Sequence, residues 1–416
     1  MQLKAILNRV EKQPSFVYES VRLVEGPRLE MEVIVRPRVN SRPRCSGCGQ
    51  VGPGYDTQGL RRFEFVPLWG IAVFFVYTMR RVQCRQCGVR VEAVPWATGK
   101  HHLTKTYAWF LARWARRLSW KEAAEVFHTS WQKVFRSVEM AVEWGRAHQD
   151  LDDIEAIGID EIQWQRGHRY LTLVYQIDAG CRRLLWIGKK REAKTLLRFF
   201  RWFGNERGTA LRFICSDMWQ PYLKVVAKKA AQAAHVLDRF HLMKKLGKAI
   251  DDVRAQEVKT LKARGYEPVL KRTRWLLLKR PENLAEKQEP RLAELLQYNL
   301  RTVRAYLLKE DFQFFWDYRS PYWAGQFLDR WCIRTMRSRL APMKKVARSL
   351  RDHRELLLNW FRAKGAISAG VVEGFNNKAK LTIRKAYGFR TYKAIEVALY
   401  HTLGNLPEPL TTHRFC

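Results

Sequence analysis

The feature that most constrains the fold is a succession of apolar segments between residues 155 and 238. The first three, EAIGIDEIQW, HRYLTLVYQID and RRLLWIGKK, are apolar or alternating and are separated by short turns that contain glycine. Such short loops predict three antiparallel strands. The pattern then predicts an amphipathic helix ended by Gly204, a buried strand ending in Asp217, a helix over about 219–232 and a short fifth strand, HVLD.

This order of elements matches the ribonuclease H-like fold, in which helices cover a central mixed sheet. Asp160 lies on the first strand among Ile157, Ile159 and Ile162, where a charge is costly unless it is paired or bound to a cation. Asp217 ends the fourth strand, which neighbours the first strand in this fold. We therefore expect the two carboxylates to meet at one end of the sheet. The alternative for each is a surface or turn-forming aspartate.

A third acidic group would allow two Mg²⁺ ions to be held around a scissile phosphate. The best candidate is Glu373, in the segment GVVEGFNNKAKLTIRK. On a helix, Glu373, Asn376, Asn377 and Lys380 share one face at three- and four-residue spacing. A solvated polar helix surface is the alternative. The polar and basic residues expected to contact DNA near the metal ions are Asn376, Asn377, Lys378, Lys380, Arg384, Lys385 and Arg390.

Four cysteines near the beginning of the chain form two Cys-x-x-Cys-Gly units, Cys45 with Cys48 and Cys84 with Cys87. In a reducing compartment such pairs indicate tetrahedral zinc rather than disulfides. The glycine after each pair relieves backbone strain where the chain turns around the sulfurs. The pattern predicts a zinc ribbon, and two unrelated redox or buried pairs are the alternative.

Residues 101–150 change to helical periodicity. Ser119 and Glu122 can form a capping box, and a break at residues 128–130 precedes a second helix that starts at Trp131. This pattern predicts a helix-turn-helix, although a plain three-helix packing unit shares it. The residues that its second helix would present to the DNA major groove are Gln132, Lys133 and Arg136.

The charge of the chain points to a polyanionic partner. Its 416 residues include 76 Lys and Arg against 40 Asp and Glu, a net charge of +36, of which +15 falls in residues 236–366. The expected partner is nucleic acid; a protein that is merely basic, or one that touches an acidic membrane, is the alternative. No run of 18 apolar residues and no signal-peptide pattern occurs, so we expect a cytoplasmic, nucleoid-associated protein.

Taken together, these motifs resemble the DDE transposases of bacterial insertion sequences, specifically the ISL3 family. The resemblance rests on the two cysteine pairs, the helix-turn-helix and the segments GIDE (158–161), SDMW (216–219), VLDRFH (236–241) and VEGFNNKAK (372–380). It implies that Asp160, Asp217 and Glu373 bind two Mg²⁺ ions, for which Mn²⁺ can substitute, and that the zinc is structural.

The resemblance also implies an activity. The protein would bind the ends of its own element as double-stranded DNA, cut them and join them to target DNA without a covalent protein–DNA intermediate. Because two ends must be processed together, we expect a homodimer or larger assembly. The predicted fold class is multidomain: a zinc-ribbon segment (1–100), a helix-turn-helix (101–150), an α/β ribonuclease H-like core (151–240), an all-helical insertion (241–366) and C-terminal helices of the core (367–416).

Some roles stay open at this level. Glu161 adjoins Asp160, but strand alternation sends their side chains to opposite faces, so we assign the metal to Asp160. Asp238 and His241 are expected to make supporting contacts behind the metal ligands or to bind the DNA strand, and a simply packed histidine is the alternative. Two other functions also remain: a zinc-containing transcription regulator without catalysis, and a nuclease that cuts without joining.

Overall fold

The computed structural model describes residues 3–99, 101–266, 269–363 and 369–409. The chain divides into two compact units, with boundaries after Asp150 and after Gly388, and the residues beyond Gly388 group with the first unit. Both units are mixed α/β structures. No helix among the described residues is long and apolar enough to cross a membrane.

The first unit begins with a small helix and a mixed sheet. Its elements are α1 Leu3–Val10, β1 Phe16–Val24, β2 Glu30–Pro37, β3 Gly54–Leu68, β4 Ile71–Cys84 and β5 Gly88–Val91. The sheet order is β1-β2-β4-β3, with β5 also paired to β4, and only the β2–β4 pair is parallel. The β3–β4 hairpin turns at Trp69 and Gly70, both with positive φ, as a two-residue type I′ turn requires.

Three helices follow the sheet: α2 Lys105–Trp114, α3 Trp120–Val126 and α4 Trp131–Ala147. The predicted capping box is present, since Ser119 Oγ accepts from the Glu122 N–H and the Glu122 carboxylate accepts from the Ser119 N–H. His128 takes φ +51° between α3 and α4, and Ser130 caps α4 by accepting from the Lys133 N–H. The two helices are thus joined by a tight turn, a geometry that a helix-turn-helix shares with a plain three-helix packing unit.

The second unit is built on a five-stranded sheet. Its elements before the helical insertion are β6 Ala156–Gln165, β7 Arg169–Ile177, β8 Arg182–Lys189, α5 Ala193–Phe203, α6 Asn205–Ala210, β9 Phe213–Ser216, α7 Gln220–Lys229 and β10 Ala234–Leu237. The sheet order is β10-β9-β6-β7-β8. Strands β10, β9 and β6 are parallel, and β6, β7 and β8 are antiparallel. The predicted pairing of the first and fourth strands is confirmed.

The segment after β10 is helical, as predicted. Its α-helices are α8 Arg239–Ala263, α9 Arg274–Leu278, α10 Glu289–Leu296, α11 Arg301–Gln313, α12 Pro321–Arg337, α13 Ala341–Asp352 and α14 Arg354–Arg362. Their buried residues form one apolar core, which includes Leu246, Phe312 and Trp331. The buried carboxylate of Glu257 accepts from the N–H groups of Arg301 and Thr302 at 2.8 Å, which caps the N-terminus of α11 and ties it to α8.

Two further helices follow among the described residues, α15 Ala369–Lys385 and α16 Tyr392–Leu403. Helix α15 packs against β6 in the second unit, whereas α16 packs against α4 in the first. The buried side chains of Ile395, Leu399 and Leu403 recur on α16 at four-residue intervals, which produces the apolar face for this packing. The sequence division had placed residues 367–416 together in the core; the structure separates α15 from α16.

Candidate active site

Asp160 lies near the middle of β6, and its carboxylate is buried. Its Oδ1 accepts from the Glu161 N–H at 2.7 Å, and its Oδ2 accepts from Asn376 Nδ2 on α15. Asn376 is in turn oriented by the Tyr175 hydroxyl, which donates to Asn376 Oδ1 at 2.9 Å. The sequence predicts that Asn376 contacts DNA. In the structure Asn376 is 5% exposed and donates to Asp160, so it orients that carboxylate.

The close approach of α15 to β6 depends on Gly158. A Cβ atom at position 158 would overlap Val372 Cγ2 on α15 and would lie 3.3 Å from Ile177 Cγ2. Because side chains two residues apart on a strand share a face, Gly158 clears the space through which α15 reaches Asp160. Val372 and Asn376 are four residues apart and therefore lie on one face of α15. The glycine of the GIDE segment thus has a packing role.

Three aspartates lie at the same end of three parallel strands. Asp217 follows β9 directly and Asp238 follows β10, and the last residues of these two strands, Ser216 and Leu237, are paired. Strand β6 runs parallel to β9 on its other side and carries Asp160 just beyond the paired segment. Parallel pairing therefore brings the predicted Asp160 and Asp217 to one edge, together with Asp238.

Asp238 and His241 join Asp160 in one cluster. Asp238 caps α8 by accepting from the Phe240 N–H at 2.8 Å, and His241 lies in the first turn of that helix. The ligand atoms of Asp160, Asp238 and His241 all lie within 4.8 Å of one another. His241 Nε2 is 3.7 Å from Asp160 Oδ2. The histidine is thus directed at the carboxylates and is not simply packed.

Asp217 is held beside this cluster by Arg191. Its Oδ1 accepts from the Trp219 N–H at 2.9 Å, its Oδ2 accepts from Arg191 Nη2 at 2.6 Å, and the same Oδ2 is 4.0 Å from His241 Nδ1. Arg191 Nε also lies 3.0 Å from a carboxylate oxygen of Glu161, and the guanidinium stacks over the Trp219 ring. Sequence reasoning did not single out Arg191. Its position two residues after β8 offered only a basic residue at a strand end.

Glu373 is half-buried on α15 and close enough to Asp238 for its charge to raise the pKa of that carboxyl. Within the described residues, however, the group of possible ligands that contains Asp160 is completed by Asp238 and His241, not by Asp217 and Glu373. The carboxylates of Asp217 and Glu373 therefore lie beside the cluster of Asp160, Asp238 and His241 and are not members of it.

Burial and mutual repulsion shape the protonation of this site. Burial raises the pKa of Asp160, which His241 opposes, and burial raises the pKa of Asp238 to about 6, again against His241. Burial and then the Asp217 charge raise the pKa of Glu161 to about 8, which Arg191 opposes. So many buried carboxylates repel one another, and a bound cation would relieve that cost. Carboxylate oxygens suit Mg²⁺ and Mn²⁺, so this donor set fits a divalent ion.

The four cysteines of the first unit form a second cluster. Cys84 is the last residue of β4, and the sulfurs of Cys45, Cys48, Cys84 and Cys87 all lie within 4.8 Å of one another. Hydrogen bonds from the Cys48 and Gly47 N–H groups lower the pKa of Cys45 to about 7, which favours its thiolate. The glycines that follow the two pairs have φ +74° and +69°, as their predicted role requires. The donor set and spacing fit one tetrahedral metal ion.

Comparison with known proteins settles the family. Residues 157–399 match the family model of the ISL3 DDE transposases, described as "Transposase". The chain is also 28% identical to the transposase for insertion sequence element IS1001 of Bordetella parapertussis over 375 residues, or 89% of this chain and 91% of that protein. It is 32% identical over 402 residues to the transposase for insertion sequence element IS1557 of Mycobacterium tuberculosis (strain CDC 1551 / Oshkosh), or 90% and 88%.

The chain belongs to the ISL3 family of transposases. It is a DNA transposase, and the matched span contains all five residues gathered around the sheet edge, which are Asp160, Asp217, Asp238, His241 and Glu373. The predicted family and the predicted function of a DNA transposase are confirmed.

The residues that sequence analysis assigned to DNA contact differ in how accessible they are. In the second unit of the transposase, Asn377, Lys378, Lys380, Arg384 and Lys385 are exposed on α15. In the first unit, Arg390, Gln132 and Arg136 are exposed. Lys133 is half-buried, and its ammonium donates to Glu64 Oε2 of β3 at 2.6 Å, so this lysine is already engaged within the protein.

Proposed function

We propose that the transposase cuts the ends of its insertion sequence and joins them to target DNA at the edge of a ribonuclease H-like sheet, where Asp160, Asp217 and Glu373 hold two Mg²⁺ ions. The observation that carries this proposal is the convergence of the carboxylates of Asp160, Asp217 and Asp238 at one edge of the parallel strands β6, β9 and β10. Asp238 and His241 lie within ligand distance of Asp160, so we include them among the groups that hold a metal.

Divalent ions bound there would supply Lewis-acid activation of an attacking water or 3′-hydroxyl and would neutralise charge on the leaving oxygen. The protein's own residues prepare the place for this chemistry. Asn376 fixes one oxygen of Asp160, and the Trp219 N–H and Arg191 fix both oxygens of Asp217. Orientation of each carboxylate before substrate arrives lowers the reorganisation that the reaction requires.

Binding and assembly follow from the same proposal. The helix-turn-helix would read the element ends through Gln132 and Arg136, and the exposed cations of α15 would contact phosphates beside the active site. Lys133 would take part only if its ion pair with Glu64 opened. Because two ends must be joined to one target, we propose that the transposase acts as a homodimer or larger assembly on double-stranded DNA. Association with the nucleoid stays a prediction.

The test uses DNA that flanks the gene, labelled at its ends, with purified transposase, target plasmid and either Mg²⁺ or EDTA. We expect nicks at the element boundaries and joined products in Mg²⁺ alone. Sequence-specific binding without any metal-dependent break would instead support a transcription regulator. Hydrolysis without joined product, with target present, would support a nuclease.

Metal binding at the sheet edge is expected to weaken as pH falls. Because the pKa of Asp238 is raised to about 6, this carboxyl is ionised at pH 7 and takes up a proton between about pH 7 and 5, where it ceases to be a metal ligand. Calorimetric titration with Mn²⁺ should show declining affinity over that interval. Asp238→Asn should bind Mn²⁺ more weakly at pH 7 and show a smaller dependence of affinity on pH. Equal affinity of the wild type at pH 7 and pH 5 would contradict this assignment.

The cysteine cluster is proposed to hold one structural Zn²⁺. Cys84→Ser should reduce zinc measured by atomic absorption from about one equivalent towards none, since tetrahedral structural sites use four protein ligands. It should also lower the melting temperature, because metal binding contributes folding free energy. Cys181→Ser, at a half-buried cysteine outside the cluster, is the matched control and should keep both values. Full zinc content in Cys84→Ser would refute the site.

A further inference from the structure

A basic groove lies between α8 and α13 in the helical insertion. It has a volume of about 510 Å³, and its charged lining consists of Lys245, Lys248, Lys259 and Lys345 with one acidic residue, Asp252. Three net positive charges therefore line one concave surface. We call this surface the α8–α13 groove.

Within the described part of the chain, three of the four lysines of the groove have no acidic partner. Among the residues that the structure describes, Lys248, Lys259 and Lys345 are exposed and form no ion pair. Some other cations of the insertion are paired within the protein, such as Arg254 with Asp251 and Arg334 with Asp311. The groove thus carries uncompensated positive charge, which favours a polyanionic ligand.

The groove starts at the active site. His241 and Lys245 lie one turn apart on α8, so they share a face, and Lys245 lies near enough to Asp217 for the two charges to interact. From Lys245 the lining continues along the same stripe through Lys248, Asp252 and Lys259. This stripe extends 14 residues, or about 21 Å at 1.5 Å per residue. Three lysines, with Asp252 between the second and the third, therefore line α8 from the carboxylates along the insertion.

We infer that the α8–α13 groove binds the backbone of the DNA next to the scissile phosphate, over about six nucleotides at 3.4 Å each. This inference rests on the proposed function for the position of the cut. Lysine ammonium groups bind phosphates as point charges, so the contacts would be independent of sequence and would fix the register of the strand. The helical insertion would then act as the part of the transposase that holds DNA in line with the carboxylates.

The first measurement is the salt dependence of DNA binding by the full chain. Lys248→Ala, Lys259→Ala and Lys345→Ala are combined in one variant, and binding to a labelled duplex is titrated at several salt concentrations. Loss of three phosphate contacts should reduce the slope of log K against log salt by about 2.7, at about 0.9 per contact. The matched control is Lys224→Ala with Lys228→Ala, exposed lysines of α7 outside the groove, which should keep the wild-type slope.

The second measurement locates the contacts. Single methylphosphonates, which lack the phosphate charge, are placed at successive positions on both sides of the cut. Within about six nucleotides on one side they should weaken binding of the wild type, and they should have no added effect on the triple variant.

Unchanged salt slope in a folded triple variant, or interference that persists in it, would overturn the inference. A melting temperature equal to that of the wild type establishes folding, as expected for exposed lysines. Since phosphate contacts do not depend on sequence, the slope is also measured on an unrelated duplex. Absence of cleavage by the wild type would refute the proposed function. The salt slope on the unrelated duplex would still test whether the groove binds DNA.

Discussion

Replacement of Asp160 with asparagine is expected to abolish DNA cleavage and strand transfer while leaving binding of the element ends nearly unchanged. The amide keeps the size of the side chain but removes the charge at the centre of the buried carboxylate cluster. Substitution of a residue that merely orients a metal ligand typically reduces activity about 10–100-fold. Loss of the ligand itself should therefore reduce cleavage activity by more than about 100-fold. Cleavage of labelled element ends in Mg²⁺ measures the first effect, and gel-shift titration the second.

The companion variants make this result specific. Asp217→Asn and Glu373→Gln should lose cleavage to a similar extent. Asp178→Asn, which changes a half-buried aspartate just after β7 whose carboxylate accepts from Gln176, should cleave normally. Wild-type cleavage by Asp160→Asn would refute the site. Wild-type cleavage by Glu373→Gln together with an inactive Asp238→Asn would move the third carboxylate of the site from α15 to the start of α8.

Replacement of Gly158 with alanine is expected to inactivate the transposase although residue 158 carries no reacting group. The added methyl group would overlap Val372, a stiff side chain that cannot move aside, so α15 must shift away from β6. Overpacking of this kind costs about 1–3 kcal/mol of stability. A shift of about 1 Å at an active site can cost about 100-fold in rate, and here it would withdraw both Asn376 and Glu373. Thermal melting and cleavage assays measure the two effects.

A second substitution tests the cause. In the Gly158→Ala, Val372→Ala double variant, the valine methyl groups that meet the new side chain are gone, so cleavage should recover most of the lost activity. Val372→Ala alone leaves a small cavity and should reduce stability without a comparable loss of cleavage. A double variant as inactive as Gly158→Ala would show that the glycine acts in some way other than giving α15 room.

Much of the second unit was predictable because its determinants are local. Alternation and short turns predicted β6, β7 and β8, and helical periodicity predicted the insertion after β10. A capping box at Ser119 and positive φ at two glycines after cysteine pairs depend on residues within one turn, so these features also agreed with the structure. The mixed sheet of the first unit was largely missed, because its parallel β2–β4 pair joins segments that are distant in sequence.

The sequence by itself determined the family, the order of the strands in the second unit and the acidic residues at or near strand ends. It did so because periodicity, turn chemistry and motif spacing are local properties of the chain. Tertiary structure alone decided which side chains meet. Lateral pairing of β6, β9 and β10 brought Asp238 and His241 to Asp160. The space at Gly158 let α15 bring Asn376 onto the carboxylate of Asp160, and Arg191 reached Asp217 from another strand end. These contacts join residues between 26 and 216 positions apart, a distance over which local pattern carries no information.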